Sequence, residues 1–152
     1  MKKLCEIMRE GFLFVVRKDA TVAEAARIMA ENNVGIVAVL EDDRLVGVFS
    51  ERDAVRRVIV NGLDPVGTPV SDVMTRDLVI ADENQDYQTA MRSMDHANIR
   101  HVPVVRGDQV VSMLSIRDLM RVDLDRMGDE LRFLTDYLFT VPPDVAPSAA
   151  RR

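Results

Sequence analysis

The four-residue pattern Ser-x-Arg-Asp occurs twice in this chain, at residues 50–53 and again at residues 115–118. Each copy follows an apolar run and precedes an amphipathic one, which places the serine where a helix begins. A serine at the N-cap accepts a hydrogen bond from a free backbone N–H, and an acidic residue in the first turn is favourable near the positive end of the helix dipole. The pattern therefore predicts two capped helix starts.

The same residue types at the same spacing also suit a nucleotide. A helix N-terminus offers N–H groups and positive potential to a phosphate, and the serine hydroxyl and the arginine add further donors. An aspartate one turn later accepts hydrogen bonds from the vicinal hydroxyls of a ribose, as the acidic residue of dinucleotide-binding folds does. Capping explains the serine and the aspartate but not the matching Arg52 and Arg117. Both interpretations, a structural cap and a nucleotide site, stay open at this point.

The two patterns belong to one internal repeat. Residues 13–56 align without a gap with residues 78–121 after a shift of 65 positions. The identical pairs include Ala25 with Ala90, Arg27 with Arg92, Met29 with Met94, Asn33 with Asn98, Val37 with Val102 and Asp43 with Asp108. The lead-in segments 4–8 and 70–74 also correspond, with one extra residue in the first copy. Self-similarity of this kind predicts two copies of one supersecondary unit.

Each copy predicts the element order β-α-β-β-α, which makes the fold class α+β. In the first copy we expect a strand at 12–16, a helix capped by Thr21, strands at 36–40 and 45–49, and a helix after Ser50. The second copy should have a strand at 78–81, a helix capped by Asp86, strands at 101–105 and 109–114, and a helix after Ser115.

The remaining segments set the domain boundaries. NGLDPVGTP, residues 61–69, is rich in glycine and proline and predicts a linker. The first repeat with its linker should cover residues 1–66, the second repeat 67–122, a C-terminal helix 123–140 and a disordered tail 141–152. An apolar stripe with helical spacing marks that C-terminal helix. Its residues are Leu124, Met127, Leu131, Leu134 and Leu138.

Composition excludes several classes of function. The chain has 152 residues, of which 47% are hydrophobic and 30% charged, as in ordinary globular proteins. A net charge of -5 and the absence of tryptophan argue against a nucleic-acid partner, and two histidines with one cysteine argue against a metal site. We find no secretion signal, no membrane-spanning run and no recognisable catalytic set, so we expect a cytoplasmic protein that is not an enzyme.

Two stretches carry a family resemblance: VGIVAVLEDDRLVGVFSERD (34–53) and IRHVPVVRGDQVVSMLSIRD (99–118). Both resemble the apolar strand, turn and G-h-h-[ST]-x-x-[DN] motif of the CBS (cystathionine β-synthase) domain family. The resemblance covers roughly residues 4–121. It implies two repeats packed as a pseudo-twofold pair, called a Bateman module, and a homodimer of two such modules arranged as a flat disc. It also implies a regulatory role through binding of an adenine nucleotide such as AMP, ATP or NAD between the repeats.

The resemblance also implies two nucleotide sites. In the second site, serine would meet phosphate, aspartate would hold the ribose, and the strand and lead-in residues would line the base pocket. That site would contain Asp118, Ser115, Arg117, Arg100, His101, Pro103, Thr75, Arg76 and Leu78. The first site would contain Asp53, Ser50, Arg52, Gly35, Ile36 and Ala38. Three differences between the copies bear on these sites: the second copy has Ser112, Arg100 and Pro103 where the first has Gly47, Gly35 and Ala38. Arg100 is therefore a phosphate candidate in the second site.

Several alternatives stay open from sequence. The chain could be a ligand-free scaffolding dimer whose serines and aspartates are only caps. Mononucleotides and dinucleotides share the ribose and phosphate contacts, so the ligand is not specified within the adenosyl class, and a protein effector has no visible signature. The C-terminal stripe fits packing on its own module and packing across a dimer equally well.

Overall fold

The computed structural model describes residues 1–8 and 12–140. The chain divides into a unit of Met1–Leu119, which contains both repeats up to the second motif, and a second unit from Met120 onward. The strands are β1 (Val15–Arg17), β2 (Ile36–Glu41), β3 (Arg44–Ser50), β4 (Ala81–Asp82), β5 (His101–Arg106) and β6 (Gln109–Ser115). The helices are α1 (Val22–Glu31), α2 (Glu51–Asp53), α3 (Tyr87–His96) and α4 (Ile116–Thr140).

Each repeat builds one three-stranded sheet. β1 pairs in parallel with β2, which pairs antiparallel with β3, and β4, β5 and β6 repeat the arrangement. The two sheets share an irregularity at the same place, between Val39 and Leu40 in one and between Val104 and Val105 in the other. The α+β class and the internal repeat are confirmed.

The predicted starts of α1 and α3 are confirmed. The backbone just after these two helices explains why both repeats have an asparagine there. The Thr21 side chain accepts a hydrogen bond from the Glu24 amide, and the Asp86 side chain accepts from two amides at the start of α3. Both helices are followed by an asparagine in the left-handed region, Asn33 at φ 52° and Asn98 at φ 51°. Asparagine tolerates this conformation better than most residues, which gives a physical reason for the identical pair.

The first strand of each repeat lies further along the chain than predicted. Val15–Arg17 and Ala81–Asp82 form the strands, whereas the sequence indicated residues 12–16 and 78–81. Only these residues have ladder partners in the neighbouring strand, as Val15 has in Ala38. The apolar runs do not locate these strands, since Phe12 and Ile80 are 51% and 48% exposed. The register with the partner strand decides where pairing starts.

The lead-in segments are exchanged between the repeats. The amide of Leu4, in the first lead-in, donates to Gln85 O at 2.9 Å, in the second repeat. Conversely, the amide of Val70, in the second lead-in, donates to Ala20 O at 2.7 Å, in the first repeat. Each lead-in therefore completes the repeat that does not follow it in the chain.

The core of the first repeat reflects this exchange. Its buried cluster consists of Val16, Val22, Ala25, Met29, Val37, Val39, Phe49, Val58, Val70, Val73 and Met74. Three of these side chains, Val70, Val73 and Met74, come from the second lead-in. Burial of these apolar side chains fixes the lead-in on the sheet and helix of the first repeat.

The last helical elements differ between the repeats. α2 has only three residues and continues as a π-helical segment, Ala54–Ile59. α4 is one continuous helix, although the sequence separated the last helix of the second repeat from the C-terminal helix. No proline interrupts residues 116–140, and the single Gly128 is tolerated inside a helix. The predicted tail, residues 141–152, lies outside the described residues.

The apolar stripe of α4 faces solvent. Leu124, Met127, Leu131, Leu134 and Leu138 are between 49% and 75% exposed. Within residues 1–8 and 12–140, no helix combines the length and the hydropathy needed to cross a bilayer.

Candidate functional site

Both Ser-x-Arg-Asp patterns form the same capping box. In the first copy, the Ser50 amide donates to Asp53 Oδ2 at 3.0 Å, and the Asp53 amide donates to Ser50 Oγ at 3.2 Å. The second copy repeats these bonds between Ser115 and Asp118 at the same two distances. The capping prediction is confirmed, and each motif satisfies two backbone donors that a helix start would otherwise leave free.

The two aspartates nevertheless stand in different surroundings. The serine hydroxyl donates to Oδ2 in both copies, at 3.0 Å to Asp53 and 2.6 Å to Asp118. Asp53 is buried, with 8% of its surface exposed, and its Oδ1 accepts a hydrogen bond from Thr75 Oγ1 at 3.0 Å. Asp118 is exposed, and among the described residues its Oδ1 has no hydrogen-bond partner.

Counting acceptor positions shows what each carboxylate can still bind. An ionised carboxylate offers about four lone-pair positions. Asp53 already accepts from the Ser50 amide, the Ser50 hydroxyl and Thr75, so about one position remains. Asp118 accepts from the Ser115 amide and hydroxyl, so about two positions remain with respect to the described residues. A vicinal diol needs two acceptor positions, which Asp118 offers without losing a partner.

A cavity of about 240 Å³ adjoins the first motif and is lined by both repeats. The lining residues are Gly35, Ile36, Val48, Ser50, Glu51, Arg52, Asp53 and Thr75, together with Asn98, Ile99, Arg100 and His101. All twelve lie in the unit of Met1–Leu119. The lining combines two carboxylates, two arginines and a histidine with the apolar side chains of Ile36, Val48 and Ile99. Such a mixture suits a small polar ligand.

The structure changes the grouping of the predicted site residues. Thr75 was grouped with Asp118, but it lies against Asp53, because the second lead-in packs on the first repeat. Its backbone also pairs with Val48 in β3, through bonds of 2.8 and 3.0 Å. Arg100 and His101 line the same cavity, so it brings together residues that the sequence divided between two sites.

Other predicted residues lie elsewhere. Ala38 and Pro103 are buried within their strands and do not line this cavity. Arg76 donates to Ser71 O at 2.7 Å, and Leu78 is half-buried. Ser115, Arg117 and Asp118 also lie outside its lining. A ligand site at the second motif stays a prediction.

His101 is electrostatically linked to both motifs. Burial lowers the pKa of its imidazole below the usual 6.5, and the nearby Arg100 lowers it further. The carboxylates of Asp118 and Glu51 act in the opposite direction and are weaker. The imidazole is therefore mostly neutral at pH 7 and is flanked by charges of both signs.

Four cavity residues were missed from sequence: Val48, Glu51, Asn98 and Ile99. Asn98 carried no signal of its own for the cavity, because the left-handed backbone at both positions explains its identity with Asn33. Glu51 occupies the variable position of the pattern, and a carboxylate there faces Gly35, whose added Cβ would lie 3.3 Å from Glu51 Oε2. Among the described residues, no group of three or more His, Cys, Asp or Glu is arranged to hold a metal ion.

Two β-α-β-β repeats with exchanged lead-ins and paired capping boxes define a tandem-repeat module with a cavity formed by both repeats. The chain belongs to the CBS domain family, whose model matches residues 4–60 and 70–125. The mitochondrial CBS domain-containing protein CBSX3 of Arabidopsis thaliana is 34% identical over 125 residues, 79% of this chain. This chain spans 61% of the length of that relative.

Two further comparisons agree with the family assignment. The CBS domain-containing protein YhcV of Bacillus subtilis is 35% identical over 104 residues, 68% of this chain and 74% of the relative. The structure of a CBS domain protein from Pyrobaculum aerophilum, determined in complex with AMP, is similar with a TM-score of 0.70 and 29% identity. The similarity covers 77% of this chain and 89% of that chain.

Proposed function

We propose that this chain is a non-catalytic regulatory module that binds an adenosyl ligand, such as AMP, ATP or NAD, between its two repeats. The observation that carries the proposal is the cavity in which Asp53 of one repeat meets Arg100 and His101 of the other. The carboxylate of Asp53 suits the hydroxyls of a ribose, and the guanidinium of Arg100 suits the phosphate of a nucleotide. The AMP complex of the Pyrobaculum aerophilum relative supports the same ligand class.

A ligand that contacts both repeats can regulate the conformation of the module. If it binds one arrangement of the repeats better than another, it shifts the population toward that arrangement. The output would then pass to an effector protein or to the oligomeric state.

The second candidate is a ligand-free scaffolding module. It is favoured by one observation: the serine and aspartate of each motif already satisfy each other as caps. Phosphate binding by the serine hydroxyl would replace its bond to the aspartate. A titration separates the two candidates, because a scaffold gives neither saturable binding nor a ligand-dependent thermal shift.

The experiment is a calorimetric titration of AMP, ATP and NAD into the wild-type chain, Asp53→Asn and Asp118→Asn. Asparagine retains an oxygen for the capping amide, so loss of binding is separated from loss of the helix cap. We expect each substitution to remove roughly 1–3 kcal/mol of binding free energy from its own site. Asp95→Asn, an exposed position on α3, is the matched control.

The outcomes are distinct. Weakening of one binding step in Asp53→Asn and of a different step in Asp118→Asn supports two related sites. Weakened binding in one variant, with wild-type affinity and stoichiometry in the other, indicates one site, at the aspartate whose substitution weakens binding. Wild-type affinity in both aspartate variants would refute both assignments.

We further propose that the chain forms a homodimer. Two exposed apolar residues of the first repeat, Val55 and Ile59, have exposed apolar counterparts after the shift of 65 positions, Met120 and Leu124. Apolar side chains kept at equivalent positions in both copies, and 51–69% exposed, are typical of residues that another protein covers. A second copy of the chain carries the same exposed residues, as a twofold contact requires.

A further inference from the structure

Arg57 lies one helical turn beyond the first motif and was not among the predicted site residues. Its Nη1 donates to the carbonyl oxygens of Val73 at 3.2 Å and Met74 at 2.6 Å. Its Nε lies 3.7 Å from Asp53 Oδ1. One guanidinium thus contacts the motif carboxylate and the end of the second lead-in, directly before Thr75.

These contacts meet at the carboxylate oxygen that faces the lead-in. Asp53 Oδ1 accepts from the Thr75 hydroxyl at 3.0 Å and is the oxygen nearest to the Arg57 Nε. Oδ2 is fully used by Ser50 in the capping box. The remaining acceptor position of Asp53 is therefore on Oδ1. The direction in which this lone pair points depends on the residues that hold the carboxylate and Thr75 in place.

The second repeat has no equivalent of this arginine. The shift of 65 positions places Val122 opposite Arg57, whereas Arg56 and Arg121 are identical. Both copies therefore have an arginine at the position of Arg56, but only the first copy has one at the position of Arg57. This asymmetry separates Arg57 from the shared capping machinery.

We propose that Arg57 is the positioning residue of the first site, which fixes Asp53 and Thr75 so that the free position on Oδ1 recognises a ribose hydroxyl. The inference rests on the proposed binding of an adenosyl ligand. One guanidinium nitrogen, Nη1, donates to two carbonyl oxygens while Nε faces the carboxylate, an arrangement that a lysine ammonium does not reproduce. Arg57 acts through Asp53 and touches no ligand itself.

The test compares adenosine with 2′,3′-dideoxyadenosine in an Asp118→Asn background, so that only the first site is read. The variants are Arg57→Met, Arg57→Lys and the control Arg56→Met, which removes the same atoms from the next position. We expect Arg57→Met to lower the preference for adenosine by roughly fivefold, the factor of one lost hydrogen bond. Arg57→Lys should give an intermediate preference, and Arg56→Met should keep that of the parent.

A role in stability alone would give a different result. Both ligands would then weaken by the same factor in Arg57→Met, and their ratio would stay at the parental value. An unchanged ratio of the two affinities would overturn the positioning role, even if the melting temperature of the variant fell.

A second readout needs no ligand. The Thr75 amide donates to Val48 O at 2.8 Å, so its hydrogen exchange reports on the lead-in. We expect faster exchange at Thr75 in Arg57→Met than in Arg56→Met, with amides of β5 unchanged. If neither adenosine nor AMP binds the Asp118→Asn parent, the proposed ligand site at Asp53 fails, while this measurement still tests Arg57. Unchanged exchange at Thr75 would overturn the positioning role by itself.

Discussion

At the scale of residues, one repeated motif yields two different chemical groups. The capping bonds that involve the backbone amides agree in partners and in distance between Asp53 and Asp118. Asp53 is buried and accepts from a residue outside its own motif, Thr75, whereas Asp118 is exposed and has no such partner among the residues that the structure describes. Two sites built on this motif should therefore differ in affinity or in ligand preference, even though their sequences match.

His101 gives a prediction on pH. Its folded-state pKa lies below 6.5, so the unfolded chain takes up the proton at a higher pH than the folded chain does. Stability therefore falls as the pH drops through about 6.5 toward the folded pKa. We expect His101→Gln to lose part of this dependence, measured as the difference between the melting temperatures at pH 8 and pH 5.5.

The control is His96→Gln at the exposed end of α3, which should keep the wild-type difference between the two pH values. An undiminished pH dependence in His101→Gln would show that burial of this imidazole contributes nothing to the acid sensitivity.

At the scale of elements, the exchanged lead-in explains a glycine. Val48 in β3 forms an isolated antiparallel bridge with Thr75, and Gly47 is the residue directly before Val48. A Cβ on Gly47 would lie 2.5 Å from Met74 Sδ and 2.9 Å from Thr75 O. The second copy has Ser112 at this position, buried, with an Oγ that has no hydrogen-bond partner in the described part of the chain.

We predict that Gly47→Ala destabilises the chain by roughly 1–3 kcal/mol, because the added methyl group pushes against a backbone oxygen as well as a flexible side chain. It should also weaken ligand binding at the first site, since Thr75 moves away from Asp53. Chemical denaturation measures the first effect and calorimetry the second.

Gly128→Ala is the matched glycine control. Within the described part of the chain, and apart from its chain neighbours and the backbone of its own helix, no atom lies within 4 Å of an added Cβ on Gly128, which stands inside α4. This change should stabilise the helix by about 0.5–1 kcal/mol. Equal stability changes at the two glycines would contradict the close approach of the lead-in to β3.

At the scale of the whole molecule, exposed apolar surface is the main unexplained feature. The stripe of α4 repeats in steps of three and four, as in a short coiled-coil seam. If a second copy covers it, Leu131→Glu, at a position that is 65% exposed, should weaken the dimer at least about tenfold without unfolding the chain. Analytical ultracentrifugation over a concentration series measures this.

Phe133→Glu is the control, because Phe133 is 71% exposed but lies off the stripe. It introduces the same charge in the same helix and should leave the association unchanged. A wild-type chain that stays monomeric at micromolar concentration would end the dimer proposal, and an unchanged dimer in Leu131→Glu would remove α4 from the interface.

The local parts of this protein were predictable from sequence. The repeat is visible in the alignment of the chain with itself at a shift of 65 positions. The element order and the capping boxes depend on residues a few positions apart, so periodicity and cap chemistry were sufficient to predict them. Ser50 and Asp53 satisfy each other within one helical turn, and no distant residue is needed for that.

Only the tertiary structure decided which residues meet in the cavity. Chain order grouped Thr75 with the repeat that follows it, whereas burial of Val70, Val73 and Met74 holds it on the other repeat. An apolar lead-in signals that it will be buried but not against which of two nearly identical cores, because both offer the same pattern of apolar side chains. The sequence by itself determined two capped repeats. The exchange of their lead-ins, and with it the contacts of Asp53 to Thr75 and Arg57, arises from packing between segments far apart in the chain.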